Sequence, residues 1–327
     1  MSLRLAAAGC LFALPAAARV LQVGPGRAYP SPSAAAAAAQ DGDSVDIAAG
    51  AYFDCAVWQA SRLTIAGSGG AVVLTDRACE GKAAFVVRGD GVALRGLTFT
   101  RIRVPDGNGA GVRMEGRDLT VSDSRFINDQ DGILAAGGGF LRIAGCAFTG
   151  DGMPAGPPTH AVQASGLDLL RIETSVFETP RGGDHIAATA WRIELDGNRL
   201  AGGGHVAGPL ATLSGDVVVL TGNIVEPGIG ERPGAVLLTG AARTLAVRGN
   251  TLLGPPGGAP LVRNWTGQTA TDAGNHVPPG VVAVSDAGSA WHRLRAWMAD
   301  VRDGATATAG VARHQVAMLA RGLRLIP

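Results

Sequence analysis

Lysine is almost missing from this chain. Of 28 basic residues only Lys82 is a lysine, and 27 acidic residues bring the formal net charge to +1. A balance so near zero argues against a nucleic-acid partner, which requires a basic surface. The four cysteines show no C-x-x-C spacing, and that excludes a cysteine-based zinc site. No apolar run reaches the roughly 20 residues a membrane-spanning helix needs. Aromatic residues make up only 5% of the chain. Glycine departs in the other direction, with 49 of 327 residues, about twice ordinary usage. So much glycine weakens helix interiors and suits a chain that turns often between short strands. At 46% hydrophobic content such a length can bury a large core, as one long domain or two ordinary ones.

Both ends differ from the middle. Arg4, the apolar stretch Leu5 to Leu14 and the small residues Pro15-Ala16-Ala17-Ala18 predict a secretory leader over residues 1–18, cut before Arg19. Export to the periplasm or the extracellular space follows. With Cys10 removed, Cys55 and Cys79 are the expected disulfide, both in loops beside apolar strands. Cys146, between Ile143 and Phe148, reads as a small buried filler. Ser33 and the alanines 34–39 predict a short N-terminal helix that covers the open end of the strands which follow. Residues 281–327 are expected to form a helical tail or cap. Its last part, 289–327, carries six Arg against two Asp, a charge that suits contact with an anionic surface.

Residues 19–280 form the middle domain, and from about residue 45 to residue 265 the chain is a repeat. Apolar pairs five residues apart recur at Leu94/Phe99, Val121/Phe126, Ile143/Phe148, Ile172/Phe177, Leu195/Leu200, Leu220/Val225 and Val247/Leu252. A period in the twenties with elastic insertions predicts a solenoid. A leucine-rich repeat lacks its pattern here, and a propeller blade needs about forty residues. Three short strands per turn fit the spacing. Asn198, Asn223 and Asn250, each after a glycine, predict a ladder of side-chain hydrogen bonds at one corner, stepping about 4.8 Å per turn.

Val23-Gly24-Pro25-Gly26, the alanine helix, Asp41-Gly42-Asp43, Ala49-Gly50-Ala51-Tyr52 and the internal S-x-F, N-x-x-x-G-I and G-N-x-φ elements resemble exported proteins of the pectin-lyase-like superfamily. The resemblance covers about residues 20–280. It implies an all-β fold, a right-handed parallel β-helix with an N-terminal capping helix and a short helical C-terminal tail. It does not select a reaction, since that group includes lyases, hydrolases, epimerases and non-enzymes.

A second alignment, Gly111-Val112, Gly132-Ile133, Ala161-Val162, His185-Ile186, His205-Val206 and Ala235-Val236, marks the last strand of each turn. Alternation along a strand predicts the second residue of each pair inside and the first outside. His185 and His205 then share one outer face, with Gly132 as a gap in a groove wall. Asp131, His160 and Asp184 lie one position earlier, Arg113 and Gln163 one step beyond, and Arg181 in an adjoining loop. Acids, imidazoles and arginines along one face suit an anionic polysaccharide built of uronic acids. The proton beside a uronate carboxylate is removed by a base once a cation holds the carboxylate. His185 or His160 is the candidate base. Arg181 or a divalent cation such as calcium is the candidate partner of the carboxylate; no residue cluster has metal-ligand spacing. Elimination gives an unsaturated sugar, and reprotonation from the other side gives an epimer. A hydrolase would instead pair Asp131 with Asp184. The resembling proteins carry Thr-His-Asn-φ-Tyr and, one turn on, Gly-His-x-φ-Lys-Ser-Arg-Ala. This chain has Thr159-His160-Ala161-Val162-Gln163 and Gly183-Asp184-His185-Ile186-Ala187-Ala188-Thr189-Ala190, so Ala187 and Thr189 replace the two cations. A non-catalytic, polysaccharide-binding or structural cell-surface solenoid is therefore the alternative reading.

Overall fold

The computed structural model describes residues 18–153, 158–203, 208–228, 235–255 and 257–286. Residues 1–17 of the expected leader, His205 and residues 287–327 of the expected tail lie outside them. The described chain is an all-β parallel solenoid of about 10 turns. Each turn contributes to three strand stacks, and every neighbouring pair of described strands runs parallel.

The apolar pairs of the repeat stack in register. In the first sheet Leu94, Val121, Ile143, Ile172, Leu195, Leu220 and Val247 are successive partners. In the second, Phe99, Phe126, Phe148, Phe177, Leu200, Val225 and Leu252 do the same. The third runs from Ala56 through Phe85, Val112, Ile133, Val162, Ile186, Ala211, Val236 and Val262 to Val284. Alternation places these side chains in one continuous core. The core's few aromatics are concentrated there. Phe126, Phe148 and Phe177 stack with ring centroids 4.7 Å apart, the spacing of neighbouring strands.

The corner between the first and second sheets turns on one left-handed residue per turn. Gly145, Gly197, Gly222 and Gly249 hold φ of 60°, 61°, 62° and 62°, a region open to glycine without steric cost. The residue that follows points inward and bonds along the stack. Ser175, Asn198 and Asn223 donate backbone N–H to the Oδ1 of Asn198, Asn223 and Asn250 at 2.9, 3.0 and 2.9 Å. The expected ladder is present, and it extends one turn further to Asn275.

The N-terminal helix spans Pro32–Ala38 and is capped by Ser31, not Ser33. Pro32 suits the first helical position because its missing N–H would be unbonded there anyway. Ala35 and Ala36 join the core cluster. Cys55 and Cys79 form the expected disulfide, and Cys146 is free and buried. No helix among the described residues is long and apolar enough to cross a membrane.

Candidate functional site

The third sheet begins where each turn leaves its second corner. Val112, Ile133, Val162, Ile186 and Val236 face the core, as the second alignment predicts. The residue before each does not face outward. Gly111, Gly132, Ala161, His185 and Ala235 are all buried as well. The corner curls the chain inward over these residues, so the pleat's alternation starts only at the next one. A Cβ on Gly132 would lie 2.9 Å from Cδ1 of Phe148, and one on Gly111 2.7 Å from Cδ1 of Phe126. The gap at Gly132 is therefore filled from inside by a phenyl ring and is no groove wall.

His185 follows the same rule and is a core residue. It is 1% exposed, its ring centroid lies 5.7 Å from that of Phe177, and its Nε2–H donates to the Ala201 carbonyl at 2.9 Å. Burial lowers its pKa to about 4, so the ring is neutral. The station assigned to His205-Val206 belongs to Leu210-Ala211, since Ala211 pairs with Ile186 and the His185 amide bonds the Leu210 carbonyl. The loop after Ala201 is longer than the alignment allowed.

Asp131, His160 and Asp184 do fall together, in successive turns at the edge of this sheet. The His160 amide donates to Asp131 Oδ1 at 2.7 Å. His160 Nδ1 lies 3.1 Å from the Asp184 carbonyl oxygen. A carbonyl only accepts, so Nδ1 carries the proton and Nε2 keeps its lone pair. Among the described residues Nε2 makes no hydrogen bond. Burial lowers the His160 pKa, opposed by its bond to Asp184. Burial raises Asp131 to about 7, against the pull of the His160 amide and the Arg113 charge. Asp184 retains some accessible surface, yet surrounding protein raises its carboxyl to about 7, against a hydrogen bond from Thr212.

Two columns of outward residues run beside this edge. The nearer joins Arg113, Leu134, Gln163, Ala187 and Thr212. The farther joins Ala136, Ser165, Thr189, Ser214 and Thr239. Arg113 stands 3.5 Å from Glu115, within a group that also pairs Lys82 and Arg88 with Glu115 and Glu80. Arg181 is not over the sheet. It lies at the second corner, where its Nη1 donates to Asn128 Oδ1. Among the described residues no three His, Cys, Asp or Glu side chains are placed to hold a metal ion.

Sequence reasoning passed over the acids at that corner. Asp129 and Asp151 are 0% and 3% exposed. Asp129 Oδ1 accepts the Ile102 amide at 2.8 Å and Asp151 Oδ1 the Asp129 amide at 2.9 Å. The geometry repeats the asparagine ladder with acids. Each Oδ2 is buried with no partner. Burial, then the neighbouring carboxyl, pushes Asp129 well above its usual range; burial raises Asp151 to about 8. The only signal in the sequence was an acid three residues beyond the phenylalanine of two consecutive turns, Phe126 and Phe148.

No family model and no curated protein sequence matches this chain. Among solved structures it is similar to a protein of Geobacillus virus E2, ORF18, at 13% identity and a TM-score of 0.44, over 75% of this chain and 53% of that one. The chain thus spans about half the length of that protein. It is similar also to the pectin methylesterase PemA from Erwinia chrysanthemi at 11% identity and 0.42, over 77% and 82%. An alginate lyase from Paenibacillus sp. gives 14% and 0.40, over 82% and 99%. Likeness at these scores carries no argument about activity; the solenoid is defined by the chain's own strand pairings.

Proposed function

We propose that the outer face of the third sheet binds an acidic, uronate-containing polysaccharide in an exported setting, and that His160 moves the proton beside the carboxylate. The observation that carries this is the column itself. A neutral imidazole with its tautomer fixed by the Asp184 carbonyl stands between two carboxyls whose pKa values lie near neutrality. Paired groups poised in this way suit acid–base work. In elimination, Nε2 takes the C5 proton and the electron pair forms the C4–C5 double bond. The C4–O bond breaks, and the departing oxygen takes a proton from the Asp184 carboxyl. In epimerisation the carbanion instead regains a proton on its other side. A disulfide between Cys55 and Cys79 is compatible with export.

One observation favours a second reading. Ala187 and Thr189 put no charge on the middle turns, where a cation would hold the substrate carboxylate. A face of Gln163, Thr212, Ser165 and Ser214 would then bind the chain without altering it.

The two readings separate on incubation of the whole protein with pectate, alginate and polyglucuronate. Ultraviolet absorbance of unsaturated ends and solvent-deuterium incorporation at C5 are followed. Turnover that disappears in His160→Gln and persists in His185→Leu supports proton transfer at His160. Binding with neither signal, with or without calcium, leaves the binder, and no binding to any of the three sinks both.

A further inference from the structure

We infer that Arg103 and Arg181 form an oxyanion subsite at the second corner, built to hold one carboxylate of an acidic sugar chain. The ligand class rests on the function proposed above; the oxyanion chemistry does not. Asn128 is the centre of the arrangement. Its φ of 59° lifts it out of the strand, in a left-handed conformation that asparagine tolerates. Arg103 Nη2 donates to its carbonyl oxygen at 3.0 Å and to its Oδ1 at 2.7 Å. Arg181, two turns further along the stack, donates Nη1 to the same Oδ1. Its stem crosses the intervening turn at Gly150, where a Cβ would lie 3.8 Å from Arg181 Cδ.

Two guanidinium ions thus meet at one neutral amide oxygen. Both are exposed, and among the described residues neither has a carboxylate within ion-pair distance. Other arginines of the solenoid are differently placed, with Arg101 on Asp76, Arg88 on Glu115 and Arg199 on Glu226. The acids below, Asp129 and Asp151, feel the Arg103 charge, but among the described residues they form no ion pair with either arginine and they are sealed from solvent. Each guanidinium has five N–H donors in a planar fork, and Asn128 engages few of them. An incoming carboxylate above Asn128 gives both forks a charged acceptor, the geometry in which arginine binds oxyanions most strongly. The place also fits the proposed face. Asn128 is three residues before Asp131, and Arg181 three before Asp184, so the subsite adjoins the His160 column.

Calorimetric titration of the full chain with trigalacturonate, its methyl ester and sodium sulfate tests this. Arg103→Gln and Arg181→Gln should each weaken trigalacturonate binding about tenfold or more. The methyl ester should show little difference between wild type and variants. Asn128→Asp supplies the missing charge from within, so it should abolish trigalacturonate binding while raising Tm. That variant tests the subsite even where an arginine variant folds poorly. Trigalacturonate bound equally well by wild type and the double arginine variant overturns the subsite and leaves the polysaccharide reading standing. Sulfate binding that depends on both arginines, without trigalacturonate binding, keeps the oxyanion site and removes the uronate reading. If neither trigalacturonate nor sulfate binds, the subsite is overturned.

Discussion

Asp129 and Asp151 repeat, with an acid in place of an amide, the ladder that Asn198 and Asn223 build at the other corner. Asn198 uses its second side-chain atom as a donor, Nδ2 bonding Asn223 Oδ1 at 3.0 Å; a carboxylate has no such donor and leaves Oδ2 unbonded. A protonated carboxyl lacks neither donor nor neutrality, so the fold selects that form. The sign of the pH effect follows. Asp131, Asp151 and Asp184 have folded pKa values of about 7, 8 and 7, above the unfolded value of about 3.9. Their stabilisation is complete below about pH 4 and is lost as pH rises through those values. His185, lowered to about 4, acts in the opposite sense between about pH 6.5 and 4, so the decline is shallower there; His160, also lowered by burial, acts in the same direction as His185. Tm should therefore fall between pH 5 and pH 8.5, most steeply above pH 6.5. Asp151→Asn should flatten that decline and add about 1–3 kcal/mol at pH 8. A Tm that rises over this range, measured by circular dichroism, would refute the account.

At the scale of elements, the strands were legible because the same spacing recurs in every turn. The predicted pairs from Leu94/Phe99 to Val247/Leu252 stack without a slip. The ladder was legible through its Gly-Asn pairs, except at its end. Asn275 escaped because the residue in register with Val247 is Asp272, which is exposed and breaks the apolar pattern where fewer neighbours cover the stack. Two substitutions weigh the aromatic column against the ladder. Phe148→Ala opens a cavity between two stacked rings and should cost about 3–5 kcal/mol. Asn223→Ala removes the acceptor of the Asn198 amide and the donor to the Leu195 carbonyl, and should cost about 1–3 kcal/mol. Urea unfolding measures both, and a smaller loss for Phe148→Ala than for Asn223→Ala would contradict the ranking.

Across the whole molecule, each turn touches only its neighbours, so stability is a sum of local terms with nearest-neighbour coupling. The Cys55–Cys79 bond spans 24 residues of sequence and joins the start of the third sheet to the loop before Phe85. Cys55→Ala with Cys79→Ala should lower stability by about 3 kcal/mol in the chain-entropy model. In a linear stack that loss belongs to the first turns. Amide exchange in the double variant should quicken around residues 52–87 and stay unchanged beyond Ile186; a uniform rise along the chain would mean that the solenoid unfolds as one unit.

The amino-acid sequence by itself determined what is periodic: the parallel solenoid, the stations of its core and the asparagine ladder, each from a spacing that recurs turn by turn. It also pointed to the disulfide, from the two cysteines that lie in loops. Tertiary structure decided what happens at the corners, where loop lengths vary and the alternation of a strand does not apply. It turned His185 inward against Phe177 and gave Ala211 the station expected of Val206. It also brought Arg103 and Arg181 together on one oxygen of Asn128. Residues so far apart in sequence meet only because successive turns stack, and the corner conformations that aim both side chains at one oxygen are not written in any local pattern.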